Sequence, residues 1–248
     1  MASENIKKED FTRCLTEIFS INGLSSLLSS EKAEKFFSLT NILIAENEKY
    51  NLTAITEPKK IILNHFADCA ALANRLANDI TLCDVGCGAG FPSLPVAILR
   101  PDISVLGIDA TAKRTAYVRF CAEELGLRNI EVLTGRAEEI GQDSKYREKF
   151  DTVTARAVAN MRVLSELCLP LCKVGGEFIA MKGKNAEGEL AEARRAIPIL
   201  MGKLSKVENI TLSSSDEEIT HPLIVVKKIG NTPASYPRPY AKILKKPL

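Results

Sequence analysis

The segment Leu82-Cys83-Asp84-Val85-Gly86-Cys87-Gly88-Ala89-Gly90 ends a short apolar run on three glycines at alternate positions. A run of this kind, followed at once by a helical pattern, reads as strand, tight turn and helix. Glycine accepts the positive φ that such a turn needs, and its missing Cβ lets backbone approach a ligand closely. A second apolar run, Val105-Leu106-Gly107-Ile108, ends on Asp109, about twenty residues past the last glycine. An acid at that place can accept bonds from both hydroxyls of a ribose. Together these elements demand an α/β sheet with a nucleoside site at the strand ends.

The rest of the chain agrees. From Ile80 onward, short runs rich in β-branched residues alternate with helical stretches. Strands are expected near 80–85, 103–108, 130–133, 151–155, 176–181, 204–212 and 222–229. Helices are expected near 92–99, 111–125, 158–172 and 186–200. Alternation with short connections implies a mostly parallel sheet covered on both faces, which binds ligands outside the carboxyl ends of its strands. The residues before Ile80 read as helices. Phe11, Leu15, Ile18 and Phe19 recur at helical spacing, as do Phe36, Leu39 and Leu43. Pro58 opens a third helix carrying Ile61, Ile62, Phe66, Cys69 and Leu72 on one side. The expected organisation is a helical extension (1–79), a cofactor-binding domain (80–230) and a basic tail (231–248), the last loosely held and ordered only on a partner.

Composition excludes several classes. Charged residues are 26% and hydrophobic residues 46% of the chain, so global disorder is out. No apolar run reaches the roughly 18 residues of a membrane span, and the N-terminal residues lack a signal-peptide core. Seven cysteines, an odd number scattered on apolar segments, read as reduced thiols in a cytoplasmic protein. None of them has His or acid partners at metal-ligand spacing, so no metal is expected. Cys168 and Cys172 are expected to share one buried helix face. The net charge of +2 hides an asymmetry: every charge from Lys227 onward is positive. A basic end suits an acidic polymer.

The glycine spacing separates two nucleoside cofactors. Dinucleotide enzymes usually show G-x-G-x-x-G with the pyrophosphate on the helix N-terminus. Here the spacing is G-x-G-x-G, and Asp84 sits two residues before the first glycine. A carboxylate would repel a pyrophosphate but hold the ammonium of a methionyl group. S-adenosylmethionine is therefore favoured over NAD. The backbone at Ala137 and Glu138, after the third strand, lies where an adenine edge would rest. Glu138 also suits the first turn of a helix.

The acceptor is narrowed by what the fourth strand end lacks. It reads Thr154-Ala155-Arg156-Ala157 rather than the Asn/Asp-Pro-Pro-aromatic run of exocyclic-amine methylation. No Pro-Cys dipeptide offers a cytosine-C5 nucleophile. Arg156 stands where ribose 2′-O enzymes commonly carry an Asp. Guanine N7 fits the remainder, because its in-plane lone pair carries no proton and needs no general base. Arg156 and Lys182 would then position the reactants. Lys113, Arg114, Arg119 and Arg136 could meet phosphate, while Tyr117, Phe120, Cys121 and Leu125 form the buried stripe of their helix. His65 and His221 are isolated and read as packing or capping residues.

Over nearly its whole length the chain resembles the bacterial small-subunit ribosomal RNA guanine-N7 methyltransferase G family, also called glucose-inhibited division protein B. The resemblance rests on Asn51-Leu52-Thr53-Ala54-Ile55 with His65 and Asp68, and on Asp84 to Pro92 followed by Pro95. It continues with Lys113-Arg114, Arg136-Ala137-Glu138-Glu139, Thr154-Ala155-Arg156-Ala157 and Met181-Lys182-Gly183. It closes on Tyr236-Pro237-Arg238-Pro239 and Lys246-Pro247-Leu248. Ser93 departs from a family glycine and Phe91 from a leucine.

The resemblance implies a class I methyltransferase, Rossmann-like, with a seven-stranded mostly parallel sheet and an N-terminal helical extension. It implies S-adenosylmethionine contacts at Gly86, Phe91, Ala137, Glu138 and Arg156, beside Asp84, Gly88, Gly90 and Asp109. It implies methylation of guanosine 527 of 16S rRNA, in the 30S subunit, and a monomer is the expected state, though the sequence does not fix it. Arg238, Lys245 and Lys246 of the tail join the expected RNA contacts. Three rivals remain at this point: a methyltransferase for a small molecule or protein, a catalytically silent RNA-binding assembly factor, and an NAD oxidoreductase.

Overall fold

The computed structural model describes residues 7–183 and 185–248. A helical region comes first. Helix α1 (Lys8–Ile21) buries Phe11, Leu15, Ile18 and Phe19, and α2 (Ser30–Tyr50) buries Phe36, Leu39 and Leu43. The Ser29 hydroxyl caps α2 by accepting from Lys32 N at 3.3 Å. Asn51 ends it in the left-handed region at φ 49°. Pro58 opens α3 (Pro58–Ile61), whose path continues through a π turn (Ile62–Ala67) into α4 (Asp68–Arg75). Insertions of this kind gather at functional sites.

Seven strands follow: β1 (Thr81–Val85), β2 (Ser104–Asp109), β3 (Ile130–Thr134), β4 (Phe150–Arg156), β5 (Cys172–Met181), β6 (Gly202–Ser213) and β7 (Glu218–Lys228). Their order in the sheet is β3-β2-β1-β4-β5-β7-β6. Neighbours from β3 through β5 are parallel, and β7 runs antiparallel between β5 and β6. The order reverses between β1 and β4, which makes their carboxyl ends the switch point where open α/β sheets bind ligands. The intervening helices are α5 (Ser93–Leu99), α6 (Ala112–Glu124), α7 (Ala137–Ile140), α8 (Met161–Cys168), α9 (Ala186–Glu192), α10 (Ala196–Ile199) and α11 (Tyr240–Lys245).

Strand alternation divides the interior into two cores. Leu82, Val105, Ile179 and Val225 face a cluster that also holds Phe11, Phe36 and Phe66. Cys83, Leu106, Val153, Phe178 and Val226 face the other, beneath α8. The helical extension is thus part of the first core. Its aromatic rings step from Phe36 to Phe66 at 4.6 Å and on to Phe91 at 6.2 Å, linking α2 to the glycine loop.

Several expected boundaries shift. The helix expected over 158–172 spans only Met161–Cys168, because Asn160 caps it through Val163 N at 3.1 Å and Pro170 stands beyond its end. Cys172 opens β5, so it shares no helix face with Cys168. The helix expected over 186–200 breaks in two. Pro198 lacks an N–H and its ring crowds the carbonyl four residues back. Phe120 lies outside the buried stripe of α6, 43% exposed. All seven cysteines are free, and six are buried.

The tail is ordered by long-range contacts rather than loosely held. Lys228, fully buried, donates to Leu169 O at 2.5 Å and to Thr232 Oγ1 at 2.7 Å, and pairs with Glu148 at 3.1 Å. Arg147 donates to the carbonyls of Tyr236 and Thr232. Ile243 of α11 enters the second core. Arg162 of α8 holds the carbonyls of Pro247 and Leu248.

Candidate active site

The glycine loop crosses the ends of the two central strands. Gly86 N and Cys87 N donate to Ile108 O at 2.7 and 2.9 Å. Gly86 has φ +76°, and a Cβ there would lie 2.5 Å from Val158 Cγ2. At Gly90, φ +85°, a Cβ would lie 2.4 Å from Leu94 Cδ1. Both positions therefore exclude side chains on conformation and on space.

Two carboxylates flank this loop. Asp84 is fully buried, and its Oδ2 accepts from Ser93 N at 3.2 Å and Ser93 Oγ at 2.5 Å. Its Oδ1 has no partner. Burial pushes this carboxyl up to about 6, against the pull of Ser93. Ser93, the departure from the family glycine, thus serves the acid two residues before the loop. Asp109, at the end of β2, accepts from Gly88 N at 3.1 Å and Thr111 N at 2.8 Å, leaving one lone pair on each oxygen.

Beside Asp109 opens a cavity of about 290 Å³, lined among others by Gly86, Asp109, Ala137, Glu138, Val158 and Tyr240. The lining thus draws on the ends of β1 and β2, the start of α7, and the tail. Glu138 is buried, and burial raises its carboxyl. Arg136 lies 3.9 Å from Glu138 and over the Tyr240 ring at 5.4 Å. Phe91 does not line this cavity. It lies buried behind the loop, stacked on His65 with centroids 4.5 Å apart.

A second cavity, about 350 Å³, is lined by Asn64, His65, Asp68, Arg156, Lys182 and His221, among others. Ala157 lines both cavities and marks where they meet. It adopts φ 56°, a left-handed conformation that costs a non-glycine residue about 1 kcal/mol.

The side chains of this second cavity hold one another. Arg156 donates to Asn64 O and Asp68 Oδ2, each at 3.2 Å, and its guanidinium lies 5.4 Å from the Phe91 centroid. Its NH2 lies 3.2 Å from His65 Nδ1. The same His65 nitrogen lies 3.1 Å from Asn64 O, and Nε2 lies 3.1 Å from Thr53 Oγ1. Burial, then the Arg156 charge, lowers the His65 pKa to about 4, which keeps that ring neutral. Asp68, buried, accepts from His221 Nδ1 at 3.3 Å, and this bond raises the His221 pKa. Lys182 donates to Ala159 O at 2.8 Å and pairs with Glu189 at 2.6 Å.

The expected basic residues divide by placement. Lys113, Lys245 and Lys246 are exposed, as are Arg114 and Arg136, and the last two line the first cavity. Arg119 is bound at the sheet edge, donating to Val132 O at 2.8 Å. Arg238 turns inward, its guanidinium on both oxygens of the fully buried Glu166 at 2.8 and 2.6 Å. It leaves the set of candidate RNA contacts, because a buried carboxylate outcompetes a solvated phosphate for a fixed fork. Reasoning from sequence passed over the His65–Asp68–His221 cluster. The one local signal was the spacing of His65 and Asp68, which puts them on one helix face. No group of three or more His, Cys, Asp or Glu able to hold a metal occurs among the described residues.

A sheet of this order, a glycine loop closing on an acid, and an unpartnered buried carboxylate oxygen beside it define a class I S-adenosylmethionine-dependent methyltransferase. The residues present suit that methyl donor: Gly86, Asp109, Ala137 and Glu138 line one cavity, and Asp84 before the loop keeps a buried oxygen without a partner. The family described as rRNA small subunit methyltransferase G matches residues 32–219, and this chain belongs to it. The Ribosomal RNA small subunit methyltransferase G of Lactobacillus acidophilus is 48% identical over 225 residues, covering 89% of this chain and 93% of its own. That of Streptococcus pyogenes serotype M49 is 45% identical, covering 97% and 99%. Among solved structures, M. jannaschii TYW2 in complex with AdoMet superposes with TM-score 0.52 at 14% identity, over 66% of this chain and 75% of that one. At that identity the likeness concerns the fold alone. No helix among the described residues is long and apolar enough to cross a membrane.

Proposed function

We propose that this methyltransferase acts in the cytoplasm, as a monomer on the 30S subunit, and methylates N7 of one guanine in 16S rRNA, guanosine 527. The observation that carries the choice of atom is the state of the second cavity. Among the described residues, three of its potential bases are already engaged, His65 Nδ1 by Arg156, Asp68 by Arg156 and His221, and Lys182 by Glu189, which leaves only Nε2 of His221 without a partner. So little free basic capacity suits an acceptor that needs no proton removed. Guanine N7 has none to lose.

The methyl donor supplies a sulfonium-bound methyl group for in-line displacement. In this reading, Asp84 holds its ammonium and Asp109 its ribose hydroxyls. Ala137 and Glu138 meet its adenine edge. Gly86, Gly88 and Gly90 keep backbone close to it, and Phe91 braces His65 and Arg156 from behind. Arg156 and Lys182 then shape the acceptor side by position alone. Duplex RNA buries N7 in a deep groove, so the guanine must come from a loop or be turned out.

The reading is tested by methyl transfer from labelled donor to small subunits from a strain lacking the gene, mapped by N7-specific chain cleavage. A single cleaved guanine at the decoding-region hairpin is the expected result. Donor binding without transfer to RNA or subunits would move the acceptor to a small molecule or protein.

Phosphate contact is tested separately. Replacing Lys113, Lys245 and Lys246 together by Gln should lower the slope of log affinity against log salt by about 2, at roughly 0.7 per lost single-strand contact. Fluorescence anisotropy on an RNA hairpin across potassium chloride concentrations reads this. An unchanged slope would remove these lysines from the interface.

A further inference from the structure

The second cavity holds one polar edge that the proposed function leaves unused. His221 stands on β7, opposite Ile210 of β6, and its side chain is about one-third exposed into the cavity. Its Nδ1 is anchored on Asp68 at 3.3 Å. Because a carboxylate only accepts, that nitrogen carries the proton and donates. Among the described residues, Nε2 has no hydrogen-bond partner. The other cations there face inward: Arg156 onto Asn64, Asp68 and His65, and Lys182 onto Ala159 O and Glu189.

This inference rests on the guanine-N7 reading above. We propose that His221 is a specificity residue, its Nε2–H donating to O6 of the purine whose N7 is methylated. The chemistry of the base edge supports it. Guanine shows two adjacent acceptors, N7 and O6, whereas adenine shows N7 beside an amino donor. A fixed donor next to the transfer site is satisfied by O6 and left facing another donor when adenine enters. Discrimination of this kind is worth roughly tenfold to a hundredfold.

The same contact dictates a pH dependence. With Nδ1–H committed to Asp68, only the imidazolium carries a second N–H. Loss of that proton leaves a lone pair at Nε2 that opposes O6. The groups facing His221 are Asp68 from α4, His65 from the π turn, Arg156 from β4 and Lys182 after β5; Ile210 across β6 adds no charge. His65 is neutral, and Lys182 is paired with Glu189. Asp68 is in direct contact and holds the proton on His221 against the opposing Arg156 charge. Guanine methylation should therefore be full below the raised His221 pKa and fall as pH rises through it.

The experiment uses full-length enzyme and small subunits reconstituted with guanine, inosine or 2,6-diaminopurine at the target position. Wild type should methylate guanine and inosine, which share O6, and reject 2,6-diaminopurine, whose amino group replaces it. His221→Ala should lose roughly tenfold to a hundredfold in kcat/KM on guanine and narrow the guanine to diaminopurine ratio by a similar factor. His221→Gln should keep much of the preference, since its amide donates without a charge, and should lose the fall at high pH. Unchanged S-adenosylmethionine affinity in both variants shows that they are folded. An unaltered base ratio in His221→Ala, or an unaltered pH profile in His221→Gln, overturns the assignment. Wild type that transfers nothing to guanine N7 overturns the underlying reading and this one with it.

Discussion

Asp84→Asn should weaken S-adenosylmethionine binding by at least about a hundredfold while making the ligand-free protein more stable. The two effects have one cause. Asp84 is fully buried, its Oδ1 has no partner, and its carboxyl is pushed up to about 6. Its folded pKa is thus above that of the unfolded chain. Stability is greatest below the unfolded value and is lost as pH rises toward 6. Near neutrality the buried charge costs about 3 kcal/mol. Asparagine removes that charge, keeps the volume and can still accept from Ser93. Allowing for the new amide's own unmet donors, the variant should gain about 1–2 kcal/mol. The gain should open between pH 4 and pH 6 and be absent at lower pH.

Binding changes in the opposite sense. The ammonium of the methyl donor loses a buried counter-charge, worth about 3–5 kcal/mol when one partner of such a pair is removed. Affinity should fall by at least about a hundredfold. Calorimetric titration and thermal melts of the two proteins read both arms. Binding within tenfold of wild type would remove Asp84 from the ammonium site. A lower melting temperature would contradict the charge argument.

Arg238→Ala should destabilise the fold by about 3–5 kcal/mol without being an RNA-binding variant in any direct sense. Glu166 is fully buried on α8 and accepts from Arg238 Nε, NH2 and N, at 2.8, 2.6 and 2.9 Å. Truncation leaves that carboxylate with only the backbone N–H. It also loosens the tail that lays Tyr240 against the donor cavity and Ile243 into the second core. The double variant Arg238→Ala with Glu166→Leu removes the stranded charge and should recover most of the loss. Urea unfolding of the single and double variants measures this. A single variant with wild-type stability and weakened RNA binding would return Arg238 to the RNA interface.

The tail shows why part of the site was not legible in the residues alone. Four prolines, no hydrophobic period and an excess of positive charge are what an unstructured arm looks like locally. Its order comes from partners distant in the chain: Glu148, Arg147, Arg162 and Glu166. The acceptor cluster was hidden for the same reason. His221 and Asp68 are 153 residues apart, and neither sits in a repeat that periodicity could detect. A lone histidine in sequence looks the same whether it packs or binds.

What the sequence by itself determined were the features that act over a few residues. Alternating β and α patterns specify a parallel sheet, because each strand must find cover on both faces. The glycines of 86–90 specify the turn, because all three take positive φ and a Cβ at Gly86 or Gly90 would also collide. Asp84 and Asp109 follow from their places at strand ends. Only the tertiary structure decided which charges are spent inside the protein, as with Arg238 and Lys182, and which are left for a ligand, as with Nε2 of His221. That division depends on burial and on partners brought together by the sheet. A side chain's own identity carries neither.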